Sequence, residues 1–443
     1  MDSGRWRAPA AHGPVRATLR LPGSKSITNR ALILAALSQS PSVVRGVLKA
    51  RDTALATAAL RALGCVIHEQ GTDVSVQPGA LDPGSAVRVD VGNAGTVMRF
   101  LPAVAALTPA AVAFDGDPRA RERPVGALLT ALRALGVSID DGGRGALPFT
   151  VHGAGSVPGG PVTLDASGSS QLVSGLLLAA PRFEAGVAVQ HSGPPVPSLP
   201  HIDMTVRMLR GAGVVVAAGS IPGIPGPGTA GRPDSWRVEP GPLDLGDFTV
   251  EPDLSNAGPF LAAALVTGGS VTIRDWPADS LQAADAILDV IAALGGSVTR
   301  GAADLTVTGT GVINGIEADL RDIPELCLPL TAVAALASGP SVFTGVGHTR
   351  AQETDRLAAI SKEINALGGD VTEQPDGLVV RPRPLRVPPG HAFESYDDHR
   401  MVMGAAVLGL GLPGIEVLNA ATVGKTFPGF TELWEGLVRG EGS

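Results

Sequence analysis

One layout is written six times along this chain. An extended run ends in a polar cluster, and the cluster opens an Ala/Leu-rich stretch. The copies are "SITNRALILAALS" from Ser26, "NAGTVMRFLPAVAAL" from Asn93, "SSQLVSGLLLAA" from Ser169, "SNAGPFLAAALV" from Ser255, "ELCLPLTAVAALA" from Glu325 and "DDHRMVMGAAVLGL" from Asp397. Their starts lie roughly 65 to 90 residues apart, too far for a common solenoid repeat and right for a small supersecondary unit. The first copy shows what a unit contains. "ATLRLPG" is extended, "SVVRGVL" reads as a strand, and "DTALATAALRALG" reads as a second helix closed by Gly64. "CVIHEQ" and "DVSVQP" then read as a hairpin across Gly71-Thr72. The fourth copy repeats this with "GSVTIRDW", "LQAADAILDVIAALGG", "SVTRG" and "DLTVTG". The unit is therefore strand–helix–strand–helix–strand–strand, an α/β arrangement. Six units predict two pseudo-symmetric domains of three. The Gly/Pro-rich "GSIPGIPGPGTAGRPDS" falls between the third and fourth units and reads as an exposed hairpin loop near the boundary. It holds no G-x-G-x-x-G opening a helix, which excludes a dinucleotide site there.

Composition narrows the class. The chain has 443 residues, 44% hydrophobic and 17% charged, with a net charge of −8 at pH 7. That is a folded globular protein, and its acidity disfavours nucleic acid as a partner. The two cysteines, Cys65 and Cys327, sit in apolar contexts and read as buried small hydrophobes, with no disulfide framework and no zinc site. "LVSGLLLAA" and "MVMGAAVLGLGL" are too short to span a bilayer, and "MDSGRWRAPAAHGPVR" has no apolar signal core. A cytoplasmic, soluble protein is expected.

The unusual polar residues collect at two places in the units. The mouths of the first helices carry Lys25, Ser26 and Arg30; Asn93, Gly95 and Thr96; Ser169, Ser170 and Gln171; Glu325; and Asp398, His399 and Arg400. The mouths of the second helices carry Arg119, Arg121 and Arg123; Ser198 and His201; Glu353 and Arg356; and Lys425. Cations favour the C-terminal end of a helix dipole, so placing them at N-terminal ends points to sites for anions. Arginine forks suit carboxylates and phosphates. Glu325 and Glu353 among these cations are candidates to move protons. Each piece also has a plain structural reading: Ser24 or Ser26 as a cap, "ETDR" as a cap with an i, i+3 pair, "DDHR" as another cap, "RARERP" as a solvated loop. Their recurrence at equivalent positions favours a shared site for a substrate with several negative charges.

In order along the chain, "PGSKSITNRAL", "GNAGTVMRFL", "RARERP", "SSQLVSGLL", "QETDRL", "YDDHRMVM" and "GKTFPGF" resemble the 5-enolpyruvylshikimate-3-phosphate synthases over nearly the whole length. The resemblance implies the inside-out α/β barrel of the enolpyruvyl transferases. One domain would span residues 22–250 and the other 1–21 plus 251–443, closing over the substrates with the site in the cleft between them. It also implies the reaction, in which phosphoenolpyruvate gives its enolpyruvyl group to the 5-hydroxyl of shikimate 3-phosphate and phosphate leaves, with no metal or organic cofactor, those two small molecules as the partners, no nucleic acid or membrane, and the chain acting as a monomer. By matching motifs, Ser26 and Arg30 would grip the shikimate carboxylate, and Ser169, Ser170 and Ser198 its phosphate. Gln171 would lie against the ring and near the other phosphate. Lys25, Gly95, Arg123 and Lys425 would meet the phosphoenolpyruvate phosphate, and Arg356 and Arg400 its carboxylate. Glu325 would act as base on the 5-hydroxyl. Glu353 and Lys25 would handle protonation of the methylene and departure of phosphate, and His399 would shape these transfers.

Several positions depart from the family's common pattern. Glu325 stands for an aspartate, Gln352 for a lysine, His348 for an asparagine, and His201 for an aromatic hydroxyl. Gln352 and His348 remain expected contacts of shikimate 3-phosphate. Two other readings stay open on the residues. One is an enolpyruvyl transferase acting on UDP-N-acetylglucosamine, which usually carries Lys-Asn where this chain has Lys25-Ser26. The other is a non-catalytic phosphate-binding protein, which the two glutamates argue against. A P-loop kinase fails on "GSKS" for want of the earlier glycine.

Overall fold

The computed structural model describes residues 4–79, 81–219 and 232–440. The Gly/Pro-rich loop expected at 219–235 therefore lies for the most part outside the described residues. Two compact units emerge. One is the continuous segment Gly23–Val250, and the other joins the residues up to Pro22 with those from Glu251 onward.

The six Ala/Leu-rich stretches all form helices: Lys25–Leu37, Gly95–Ala105, Cys327–Ala335, Leu254–Thr267, His399–Gly411 and Gln171–Ala179. They are apolar around nearly their whole circumference, and such helices are stable only when surrounded. All residues of Gly95–Ala105 and of Cys327–Ala335 are buried. The first three along the chain pack on one another in the Gly23–Val250 unit, and the last three do so in the other unit. The approach is close. A Cβ at Gly175 would stand 2.2 Å from the Arg99 carbonyl oxygen, so only glycine lets the helix Gln171–Ala179 lie against Gly95–Ala105. The second helices, such as Arg51–Ala62 and Arg356–Ala366, bury one face and leave the other in solvent.

Each full unit contributes a four-stranded sheet, and the described residues hold five of these and one of three strands. In the fourth unit, Arg16–Leu19 runs parallel to Ser270–Arg274, which pairs antiparallel with Asp304–Thr308, itself the hairpin partner of Ser297–Arg300. Here the first unit departs from the strand order read from the repeat, although the implied division of 1–21 from 22–250 already separates that strand from the helix after it. "ATLRLPG" does form a strand, but it does not serve the helix that follows it. It completes the fourth unit's sheet, while Asp247–Thr249 pairs in parallel with Ser42–Arg45 and completes the first. The chain has exchanged one strand between equivalent units. Periodicity cannot show this, because both strands read the same and only their partners differ. The sixth unit is also shortened. Its sheet is Phe393–Glu394 parallel to Glu416–Leu418, closed by Arg5–Arg7 from the other end of the sequence in place of a hairpin.

Both cysteines are buried, as their surroundings suggested, and burial pushes each thiol up to about 12. A thiol held that high is not a nucleophile at neutral pH.

Candidate active site

In the unit Gly23–Val250, Ser24 caps the helix Lys25–Leu37 by accepting from Ile27 N–H, so the plain reading of that serine holds. Lys25 Nζ lies 3.2 Å from Asp52 Oδ2, and Asp52 opens the second helix of the same unit. Arg30 is almost wholly buried. Its Nε donates to Thr205 Oγ1 at 2.7 Å, Nη1 to the Ser26 carbonyl at 3.0 Å, and Nη2 to Ser174 Oγ and the His201 carbonyl. The guanidinium lies 4.9 Å from the centre of the Phe100 ring. Burial lowers its pKa to about 9, because no carboxylate offsets the lost hydration.

At the mouth of Gly95–Ala105, Arg123 Nη1 donates to the Asn93 carbonyl at 2.7 Å and to Asn93 Oδ1 at 2.9 Å, and its buried Nε has no partner. Arg99 Nη1 donates to Gln171 Oε1 at 2.9 Å. Both arginines and Gln171 crowd Gly95: a Cβ there would stand 2.7 Å from Arg123 Nη2, 2.9 Å from Arg99 Nη1 and 3.1 Å from Gln171 Oε1. Thr96 Oγ1 accepts from Asn29 Nδ2 at 2.6 Å, which joins this mouth to the first helix. Ser169 Oγ accepts from Gln171 N–H, and Ser170 is buried beside it. Ser198 is held at φ +53°, a left-handed backbone uncommon for serine, at the start of Leu199–Gly211. Of the three arginines in "RARERP", only Arg123 belongs to this group. Arg119 pairs with Glu122 and Arg121 forks onto Asp115, both at the surface.

In the other unit a chain of buried charges joins two second-helix mouths to the first-helix mouth at Asp398. Lys425 Nζ lies 2.7 Å from Glu353 Oε1, and Glu353 Oε2 accepts from Arg356 Nη2 at 3.1 Å. Arg356 Nε donates to Asp398 Oδ2 at 2.8 Å, and its Nη1 to Gln352 Oε1 at 3.1 Å. Burial alone would lower the Arg356 pKa, but the fields of Asp398 and Glu353 outweigh it and the net shift is upward. Asp355 and Asp398 also cap their helices, accepting from Ala358 N–H and Arg400 N–H. The capping readings of "ETDR" and "DDHR" are thus correct, and they coexist with the charge chain. Arg400 donates through Nη1 to the Ser255 carbonyl and through Nη2 to Ser255 Oγ, while its buried Nε has no partner. Burial, first, lowers its pKa. Glu325 stands on the turn Pro324–Leu326 before Cys327–Ala335 and exerts its field on Arg356, Arg400 and His348. His348 is held below its usual pKa chiefly by burial. His399 Nδ1 lies 3.5 Å from Asp398 Oδ1.

Arg30, Arg123 and Arg400 share one property. Each is buried and bonded directly only to neutral groups. A buried cation with no directly bonded anion is costly, and such sites can accept a negative ligand.

The model of the family described as EPSP synthase (3-phosphoshikimate 1-carboxyvinyltransferase) matches residues 9–434. The chain belongs to that family. A 3-phosphoshikimate 1-carboxyvinyltransferase of Kocuria rhizophila is 50% identical, the match covering 99% of this chain and 97% of that one. The fold is that of solved enolpyruvyl transferases. EPSP synthase from Acinetobacter baumannii superposes with a TM-score of 0.78 at 24% identity over 97% of each chain. The enolpyruvyl transferase NikO from Streptomyces tendae gives a TM-score of 0.74 at 19% identity, over 97% of this chain and 96% of that one.

The sequence marks the charged groups of this EPSP synthase family member and some of the residues that hold them, Asn93, Gln352 and Asp398 among these, but not all. Asp52 was missed, although it occupies the second-helix mouth of the first unit, where the other units carry their special residues. Arg99, one turn inside the helix that Gly95 opens, carried the same signal. Ser174 and Thr205, which hold Arg30, carried none, since small hydroxyl residues inside helices have many roles.

Proposed function

We propose that the chain transfers the enolpyruvyl group of phosphoenolpyruvate to the 5-hydroxyl of shikimate 3-phosphate, releasing phosphate, on the route to chorismate and the aromatic amino acids. The observation that carries this reading is the set of buried arginines without paired carboxylates. Two substrates bearing phosphates and carboxylates supply the missing charge. Ser26, Arg30, Ser169, Ser170, Gln171 and Ser198 take shikimate 3-phosphate, with Gln352 and His348 as further contacts. Lys25, Gly95, Arg123 and Lys425 take the phosphate of phosphoenolpyruvate, and Gln171 lies between the two substrates. Arg356 and Arg400 take the carboxylate.

The chemistry proceeds by addition and elimination. Glu325 accepts the proton of the 5-hydroxyl as its oxygen bonds to C2 of phosphoenolpyruvate, and C3 gains a proton to become a methyl. Glu353 and Lys25 serve the protonation at C3 and the departure of phosphate. Loss of phosphate and of one methyl proton then restores the double bond. His399, beside Asp398, shapes these transfers. The protein works as a monomer in the cytoplasm, where phosphorylated acids that do not cross membranes are available. Among the described residues no helix is long and apolar enough to span a bilayer.

The test is a phosphate-release assay with each substrate omitted in turn. Release should require both. Lys25→Ala and Glu353→Ala should lower kcat by at least about a hundredfold, the usual size of lost acid–base help. Turnover with UDP-N-acetylglucosamine and none with shikimate 3-phosphate would replace this reading.

A further inference from the structure

Two adjacent residues just before Asp398 have left-handed backbones although neither is glycine: Tyr396 at φ +53° and Asp397 at φ +55°. A bulky residue there is an outlier, and two in succession persist only where the surroundings over-determine them. The surroundings do so here. Tyr396, the chain's single tyrosine, donates from Oη to Glu363 Oε1 at 2.6 Å, and Glu363 is buried. Its N–H donates to Glu394 Oε1, and the Glu394 N–H donates in turn to Glu363 Oε2. Asn419 Nδ2 donates to Asp397 Oδ1, and Thr422 Oγ1 donates to the Asp397 carbonyl at 3.0 Å. Asp398 N–H closes the turn onto the Ser395 carbonyl at 2.9 Å.

These contacts reach three different elements. Glu363 lies two turns along the helix that Arg356 begins. Asn419 and Thr422 belong to the start of the 3-10 helix Ala420–Lys425, which ends on Lys425. Asp398 leads directly into the helix that carries Arg400. We propose that the Tyr396–Asp397 turn is a positioning device that fixes the spacing of Arg356, Arg400 and Lys425. Tyr396 ties in the first element and Asp397 the third, while the chain itself supplies the second. Neither residue is assigned a contact with substrate. The inference rests on the reading that these three cations grip phosphoenolpyruvate.

The test uses the full chain with both substrates varied. Tyr396→Phe removes one tie and Asp397→Ala the other. Asp397→Asn keeps an acceptor for Asn419 and a residue that tolerates the left-handed backbone. In Tyr396→Phe and Asp397→Ala the KM for phosphoenolpyruvate should rise by about tenfold, since small misplacements of a binding group are expensive. The KM for shikimate 3-phosphate should stay within about twofold, and Asp397→Asn should recover most of the loss. An unchanged KM for phosphoenolpyruvate in both variants, or a parallel rise of both KM values, overturns the proposal. An unmodified chain with no turnover of these substrates instead overturns the functional reading on which it rests.

Discussion

Gly95 is a position where one methyl group would meet three polar side chains at once. Its absent Cβ leaves room for the ends of Arg123 and Arg99 and for Gln171, and Arg123 is already tied to Asn93 on one side. Gly95→Ala must push the Arg123 fork out of place, while the serines expected to hold the shikimate phosphate are not touched. The KM for phosphoenolpyruvate should rise by about tenfold or more, with that for shikimate 3-phosphate changing far less. Steady-state kinetics with each substrate varied would show it, and equal changes in both would contradict the assignment of Arg123. His348 offers a different test. Burial holds its folded pKa below the usual value, and its buried Nε2 has no hydrogen-bond partner. The unfolded chain therefore takes up this proton first as pH falls below about 6.5, and the folded state loses stability as it does. His348→Asn removes that contribution, so the fall in Tm between pH 7 and pH 5 should be smaller in the variant than in the parent. An equal fall would mean that protonation at this site costs the fold nothing.

Among elements, what was legible in the sequence was what is local. The Ala/Leu-rich helices, the Gly71-Thr72 hairpin and the second-helix stripes all follow from periodicity and punctuation within a dozen or so residues. The caps at Ser24, Asp355 and Asp398 were equally visible, because an N-cap needs only the right side chain at the right spacing. What the sequence could not display was pairing across distance. Arg30 is held by Ser174 and Thr205, and Arg356 by Asp398, and nothing in the spacing of these residues marks them as neighbours. Asp398 shows how a legible role can conceal a second one. As a cap it bonds Arg400 N–H, and as an anion it neutralises Arg356. Asp398→Asn preserves a side-chain acceptor for the cap and removes the charge. Breaking a buried ion pair from one side costs about 3 kcal/mol or more, so the urea midpoint should fall accordingly. A loss no larger than about 0.5 kcal/mol, the level of an ordinary surface substitution, would show that capping alone explains this residue.

For the whole molecule, the exchanged strand makes the two units unequal in a way that their internal repetition hides. Gly23–Val250 is a single continuous segment. Its first sheet takes Asp247–Thr249 from its own end, and its other two sheets also use only its own strands. The other unit is not self-sufficient between Glu251 and its end. Arg16–Leu19 is the outer parallel strand of its Ser270–Arg274 sheet, and Arg5–Arg7 closes the sheet of Glu416–Leu418. Leu19 and Ala8 belong to the same core as Phe260 and Trp434, and Trp6 donates to Glu435 on the last helix. A fragment of residues 23–250 should therefore fold by itself with one cooperative thermal transition. A fragment of residues 251–443 should not, because it exposes two unpaired strand edges and part of a core. Joining residues 1–22 to that second fragment, directly or through a flexible linker, should restore a cooperative melt. Circular dichroism melts of the three chains decide the matter. A cooperative transition in 251–443 alone would mean that the exchanged strand decorates that unit without completing it.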